Sequence, residues 1–132
     1  VQFLVDVIDK TQDYFLREGA AHCLVRFCDQ IEIGRDKIIE TIERDLKNDQ
    51  IMFLGREMSR LSDIAIQHGD AKARSYIVNL LKLPVEQDGY DLRPDIASAV
   101  AQSYREKHGD GFGSEVGRSK VMEILEDPDA YL

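Results

Sequence analysis

Tryptophan is missing from this chain, and proline and cysteine are scarce, with three and two residues in 132. So few prolines leave long segments free to be helical, and 43% hydrophobic with 32% charged residues excludes wholesale disorder. Long apolar runs are absent too. The longest, residues 51–54 and the cluster Ile77, Val78, Leu80 and Leu81, fall far below the ~20 residues of a membrane span, so a soluble chain without membrane binding is expected. No basic stretch precedes the apolar residues after Val1, so no signal peptide is read and a cytoplasmic location is expected. Cys23 and Cys28 lie on one expected helix with side chains ~140° apart, a poor disulfide geometry, and no second Cys or His pair completes a zinc site. Both are expected to be reduced and to lie in or near a core. No stretch alternates strictly between apolar and polar, so no sheet is expected.

What the chain has in excess is acid, with a formal charge of -8. The excess is uneven: residues 1–33 hold six acids and three bases, 34–83 eight and nine, 84–115 seven and three, and 116–132 four and two. Such a field repels phosphates and anionic lipid, which argues against nucleic-acid and membrane binding, and it attracts a basic partner.

Apolar residues recur at helical spacing throughout. Phe3, Leu4, Val7, Ile8, Tyr14 and Phe15 make a first helix, and Gly19 permits a break. Ala20, Ala21, Leu24, Val25, Phe27, Cys28 and Ile31 carry a second helix up to Gly34. A third spans about 36–47, with Ile38, Ile39, Ile42 and Leu46 as its inner stripe. Asp49 is placed to cap a fourth, which carries Ile51 through Ile66 and stops at His68 and Gly69. Asp70 caps a fifth, with Ala73, Tyr76, Ile77, Leu80 and Leu81, which leads into Pro84. Residues 84–93 read as a turn-rich loop, Pro94 and Asp95 start a sixth helix, and His108 and Gly109 close it. Residues 109–117 are too rich in glycine for a helix, and a last one holds Val121, Met122, Ile124 and Leu125.

Gly34, Gly69 and Gly109 thus each stand between two helical segments, at spacings of 35 and 40. Overlaying the first on the second aligns Ile42 with Ile77 and Leu46 with Leu81; overlaying the second on the third aligns His68-Gly69-Asp70 with His108-Gly109-Asp110. The segment 65–71 (Ala-Ile-Gln-His-Gly-Asp-Ala), followed by Ile77, Leu80 and Leu81, resembles HEAT-like repeats, in which a first helix ends in Gly-Asp and a second carries spaced aliphatics. The resemblance is good over about 57–83, weaker over 20–47 and degraded over 95–127 by the glycine insertion. It implies a single all-α domain over 1–132, about seven helices arranged as a capping helix and three hairpins, either a short solenoid or a compact bundle.

No constellation carries catalytic chemistry. His68 and His108 occupy helix C-terminal ends, where an imidazolium suits the exposed carbonyls. Residues 109–117 with Arg118, Ser119 and Lys120 lack the glycine spacing and the Gly-Lys-Ser/Thr ending of phosphate loops, and Asp88, Asp91 and Asp95 miss calcium-loop spacing. The serines sit within helices, away from any strained turn. No metal, no cofactor and no enzyme activity are expected. The leading expectation is a protein-binding module for a basic partner, and more narrowly an inhibitor or immunity protein that neutralises a cationic toxin such as a nuclease. Its candidate contacts are Asp36, Glu40 and Glu43 on the third helix and Glu86, Asp88 and Asp91 in the loop. The alternative is a small helical enzyme or ligand-binding bundle, with a pocket roofed by Tyr90, Phe112 and the 84–95 and 109–117 loops.

Overall fold

Sequence periodicity becomes helix along almost all of the computed structural model, which describes residues 1–47, 54–82, 86–87, 90–109 and 118–127. The helices are α1 (Gln2–Lys10), α2 (Tyr14–Arg26), α3 (Ile31–Lys47), α4 (Leu54–Gln67), α5 (Ala71–Lys82), α6 (Arg93–His108) and α7 (Arg118–Glu126). The fold class is all-α. Among the described residues the one departure is a pair of two-residue antiparallel strands, β1 (Glu86–Gln87) and β2 (Tyr90–Asp91), with Glu86 opposite Asp91 and Gln87 opposite Tyr90. This bridge tightens the segment read as a turn-rich loop and corrects the expectation of no strand at that one place. The chain divides into two compact units, 1–61 and 62–132, with the boundary inside α4.

Within residues 1–61 the buried apolar set is Ile8, Ala20, Ala21, Leu24, Ile38, Ile42, Met58 and Leu61. The break after α1 falls earlier than Gly19, because Asp13 caps α2: its carboxylate accepts from the amides of Phe15 (2.9 Å) and Leu16 (3.3 Å). Gly19 lies inside α2 on its exposed side, and Cys28 lies past the end of that helix. Both thiols are free.

The turn from α2 to α3 corrects the assignment of Gly34. Asp29 adopts φ 52°, the left-handed conformation, and the amide of Gln30 donates to the carbonyl of Leu24 at 2.8 Å. That is the helix-ending motif usually built on glycine, here built on an aspartate, one of the few L-residues that tolerates it. Gly34 sits in the first turn of α3 and has another task. A Cβ there would stand 2.5 Å from Cγ2 of Val25, so the missing side chain lets α3 approach α2 closely.

Residues 62–132 bury Ile64, Ala65, Ile66, Ala73, Ile77, Leu81, Leu92, Ile96, Val100, Ala101, Tyr104, Val121, Ile124 and Leu125. The expected caps are in place. Gly69 has φ 65°, the amide of Asp70 donates to the carbonyl of Ile64, and Asp70 Oδ2 accepts from the amide of Ala73 at 2.8 Å. Pro94 stands at the start of α6 with Asp95 in its first turn, and Gly109 ends that helix with φ 88°. Arg74 spans this unit by donating to the carbonyls of Leu125, Glu126 and Gly69. The proposed cap Asp49 lies outside the described residues, as does the glycine-rich 110–117.

With Asp29 rather than Gly34 as the turn residue, the internal spacing becomes regular, since Asp29, Gly69 and Gly109 stand 40 apart. Buried positions follow the same interval: Ala21, Leu61 and Ala101, then Leu24, Ile64 and Tyr104. The two swapped tasks predict opposite signs. Asp29→Gly is expected to raise stability by about 0.5–1 kcal/mol by removing left-handed strain. Gly34→Ala is expected to lower it by about 1–3 kcal/mol through overpacking against Val25. Urea unfolding of both variants checks this, and equal or reversed signs would contradict the turn assignment.

Candidate functional site

Helix α3 sorts its residues by side. Gly34, Arg35, Ile38, Thr41, Ile42 and Asp45 are buried, while Glu32, Asp36, Glu40, Glu43 and Lys47 are exposed. Their spacing puts the four acids on one stripe about 16 Å long at 1.5 Å per residue. Asp36, Glu40 and Glu43 are therefore brought together as the periodicity implied. Glu32 extends the row; the expected start of α3 near residue 36 had left it out.

The stripe is only partly neutralised. Asp36 accepts from Nε of Arg35 at 3.0 Å and Glu40 from Nζ of Lys37 at 3.3 Å, yet the two carboxylates remain 60% and 63% exposed. Lys37 also donates to Asp9 of α1 at 2.9 Å, and that hydrogen bond is the main cause of its raised pKa. Glu43 makes no ion pair among the described residues.

The loop acids behave differently. Asp91 is clasped by Arg93, with Nη2 at 2.7 Å and Nε at 2.9 Å, and it accepts from the Arg93 amide at 3.0 Å. This carboxylate is engaged in starting α6. Glu86 contributes its backbone to β1, and Asp88 lies outside the described residues. The loops proposed to roof a pocket are also largely undescribed. A groove of about 350 Å³ occurs elsewhere, between α5 (Ser75, Val78, Asn79, Lys82) and the end of α7 (Glu126).

Beneath the acidic helix lies a cluster that the periodicity analysis missed. Nη2 of Arg17 on α2 donates to Oδ2 of Asp45 on α3 at 3.0 Å and to Oε1 of Glu57 on α4 at 3.1 Å, and all three side chains are at most 7% exposed. The Tyr14 ring lies 4.2 Å from the guanidinium carbon. The signal was present: Arg17 shares a helical stripe with Ala20, Ala21 and Leu24, and Asp45 one with Ile38, Thr41 and Ile42. A charge inside an apolar stripe requires a partner at depth.

One cation faces two carboxyls, so one of them keeps its proton. Burial raises the pKa of Glu57 from 4.5 to about 9; Asp45 adds to the rise by hydrogen bond and repulsion, and Arg17 opposes it. Oε2 of Glu57 is buried and has no hydrogen-bond partner among the described residues. A buried carboxylic acid is also a signature of acid catalysis. Here the adjoining cavity measures about 10 Å³, room for one water and no substrate.

The folded state holds this proton up to pH about 9, whereas an unfolded glutamate releases it near 4.5. Between those values the folded form binds more protons, so stability is expected to fall as pH rises, at a limiting slope of about 1.4 kcal/mol per unit. Glu57→Gln keeps the shape and removes the proton, and urea titrations at pH 6 and pH 9 are expected to give a smaller loss for the variant; parallel losses would contradict the assignment. Asp45→Asn removes a neighbour that helps hold the proton on Glu57, so Glu57 is expected to ionise more readily and pair with Arg17 in its place, and the stability loss between pH 6 and pH 9 to shrink. Comparison of the whole chain with protein-family models, with curated proteins and with solved structures finds no match.

Proposed function

We propose that the chain is a protein-binding module that recognises a basic partner through the acidic stripe of α3. The observation that supports this most directly is the placement of Glu32, Asp36, Glu40 and Glu43 on one exposed side of a single helix. The opposite side is fixed by Ile38, Ile42 and the buried Asp45, so the carboxylates are held in register. Acids so arranged raise association rates and select against acidic competitors more than they add raw affinity. Partners of this chemistry include cationic toxins such as nucleases, for which the module would serve as an inhibitor or immunity protein. The 40-residue interval between turn residues supports a HEAT-like arrangement of helix pairs, a build suited to partner binding.

A small helical enzyme remains the competing reading, and the Glu57 carboxylic acid is the feature in its favour. The size of the adjoining cavity weighs against it. The groove beside α5 is open, and Glu57 is not among the residues that line it.

The test uses the wild-type chain and an Asp36→Lys/Glu40→Lys/Glu43→Lys variant as baits in the native cell extract, read by mass spectrometry. Folding is expected to survive, since exposed ion pairs contribute about 1 kcal/mol or less. The expected result is a basic protein captured by the wild type alone, with an association rate that falls as salt rises from about 50 to 300 mM. Capture by both baits with no salt response would remove α3 from the interface.

A further inference from the structure

The two cysteines stand closer than their spacing in a regular helix allows. Residues five apart in an α-helix have Cα atoms about 8.7 Å apart. Cys28, however, lies past the end of α2, and its amide donates to the carbonyl of Cys23 at 3.1 Å. The Cα of one residue is about 2.4 Å from its carbonyl oxygen, and that of the other about 1.5 Å from its nitrogen. The bond therefore holds the two Cα atoms within about 7 Å at most, and near 6 Å once its bent angles are included. Bridged cysteines have Cα atoms about 4.4–6.8 Å apart. The divergence of ~140° expected for two positions on one helix does not extend to a residue beyond the helix end.

Side chains also meet across this interval. His22 and Phe27, five apart and each one residue ahead of a cysteine, lie edge to face with ring centres 6.1 Å apart. The turn belongs to the fold and not to the thiols. Forty residues on, the amide of His68 donates to the carbonyl of Asp63 at 3.4 Å, and the bond from Asp70 to Ile64 repeats that from Gln30 to Leu24. Positions that this turn draws together hold Asp63 and His68 in the second helix pair and two cysteines in the first. Both thiols are free and half-buried, which leaves each within reach of a small reagent.

The pair sits at a joint. The amides of Phe27 and Cys28 both bond to the carbonyl of Cys23, and the amide of Gln30 bonds to that of Leu24 at 2.8 Å. Asp29 between them is held in the left-handed conformation. The carbonyl of Gln30 then accepts the amide of Gly34 at 2.9 Å, which opens α3. A bond between the sulfurs at positions 23 and 28 fastens the last turn of α2 to this connection. It closes a loop of six residues, and such a constraint acts mainly by limiting the unfolded chain.

We propose that Cys23 and Cys28 are a reversible redox pair, a dithiol in the state described here and a disulfide after exchange with a small-molecule disulfide, and that the bridge stiffens the joint between α2 and α3. In the first step one cysteine thiolate attacks the small disulfide and releases one of its two thiolates. The second cysteine thiolate then attacks the protein sulfur of the mixed disulfide and releases the other. One S–S bond breaks and one forms, both cysteines are oxidised, and the small disulfide is reduced to two thiols that take up the two cysteine protons. This pair is separate from the acidic stripe of α3, and its test does not depend on finding the basic partner.

The probe is a series of oxidised and reduced glutathione mixtures at pH 8, equilibrated with the intact chain, quenched with acid and read by mass spectrometry. The expected product is a monomer lighter by two hydrogens, whereas Cys28→Ser is expected to stop at a single glutathione adduct on Cys23. The exchange constant is expected to be about tenfold larger in native buffer than in concentrated urea, where only the sequence spacing brings the thiols together. Hydrogen exchange at the amides of Cys28 and Gln30 is expected to slow about threefold in the oxidised chain. A chain that stays reduced, accumulates glutathione adducts or links to a second copy would overturn the proposal, as would an exchange constant no larger in native buffer than in urea. Unchanged hydrogen exchange would overturn the stiffening of the joint.

Discussion

The buried guanidinium of Arg17 ties α2, α3 and the first turn of α4 together. Arg17 lies among α2, α3 and α4, and its Nη2 meets carboxyl oxygens from both of the other helices. Taking a cation and two carboxyls out of water is costly, and replacing such a cluster with apolar residues of similar volume is often neutral or stabilising. What the cluster adds is directionality. Aliphatic contacts tolerate sliding of one helix along another, whereas hydrogen bonds of 3.0 and 3.1 Å from one nitrogen to two helices do not. The proton on Glu57 is part of the same arrangement, because Arg17 and Asp45 already balance in charge and a second carboxylate at this depth would have no counter-charge.

The acidic stripe inherits its geometry from that cluster. Asp45 fixes the rotation of α3 from the inside, and with the inner side fixed, the residues facing outward are Glu32, Asp36, Glu40, Glu43 and Lys47. The ion pair of Lys37 with Asp9 links the same helix to α1, and its pair with Glu40 runs along α3 itself. A surface of like charges repels itself, and exposed pairs offset little of that repulsion. The inward hydrogen bonds keep the carboxylates aligned despite it.

Helix periodicity alone was enough to read the all-α class, the positions of α4 to α7 and the inner stripes around Ile42, Ile77 and Leu81, because 3.6-residue spacing of aliphatics survives any detail of packing. Turn chemistry was half legible. Gly69 and Gly109 end helices with positive φ, as their sequence context indicates, whereas Gly34 does not. A glycine needed for close approach and one needed for a left-handed turn look alike in a sequence, and Asp29, which makes the turn, resembles any polar loop residue. The 35-residue interval measured from Gly34 therefore does not join two turn residues, whereas Asp29, Gly69 and Gly109 stand 40 apart. Of the candidate contacts, those on α3 follow from periodicity alone. The engagement of Asp91 by Arg93 is a local contact two residues apart at the start of α6, and it leaves no periodic pattern to read.

The start of α2 concentrates the departures from an ordinary amphipathic helix: Phe15 and Leu16 face outward while Arg17 faces inward. A rotation of about 100° would exchange them, hiding the apolar pair and exposing the cation. Three constraints oppose that rotation. Asp13 fixes the first turn by accepting from the amides of Phe15 and Leu16. Ala20, Ala21 and Leu24 continue the inner stripe, which a rotation would expose, and Asp45 and Glu57 would lose their cation. The polar cluster inside and the apolar pair outside are therefore two results of one helix orientation. The sequence supplies enough inward anchors to hold that orientation against the hydrophobic preference of its own first turn.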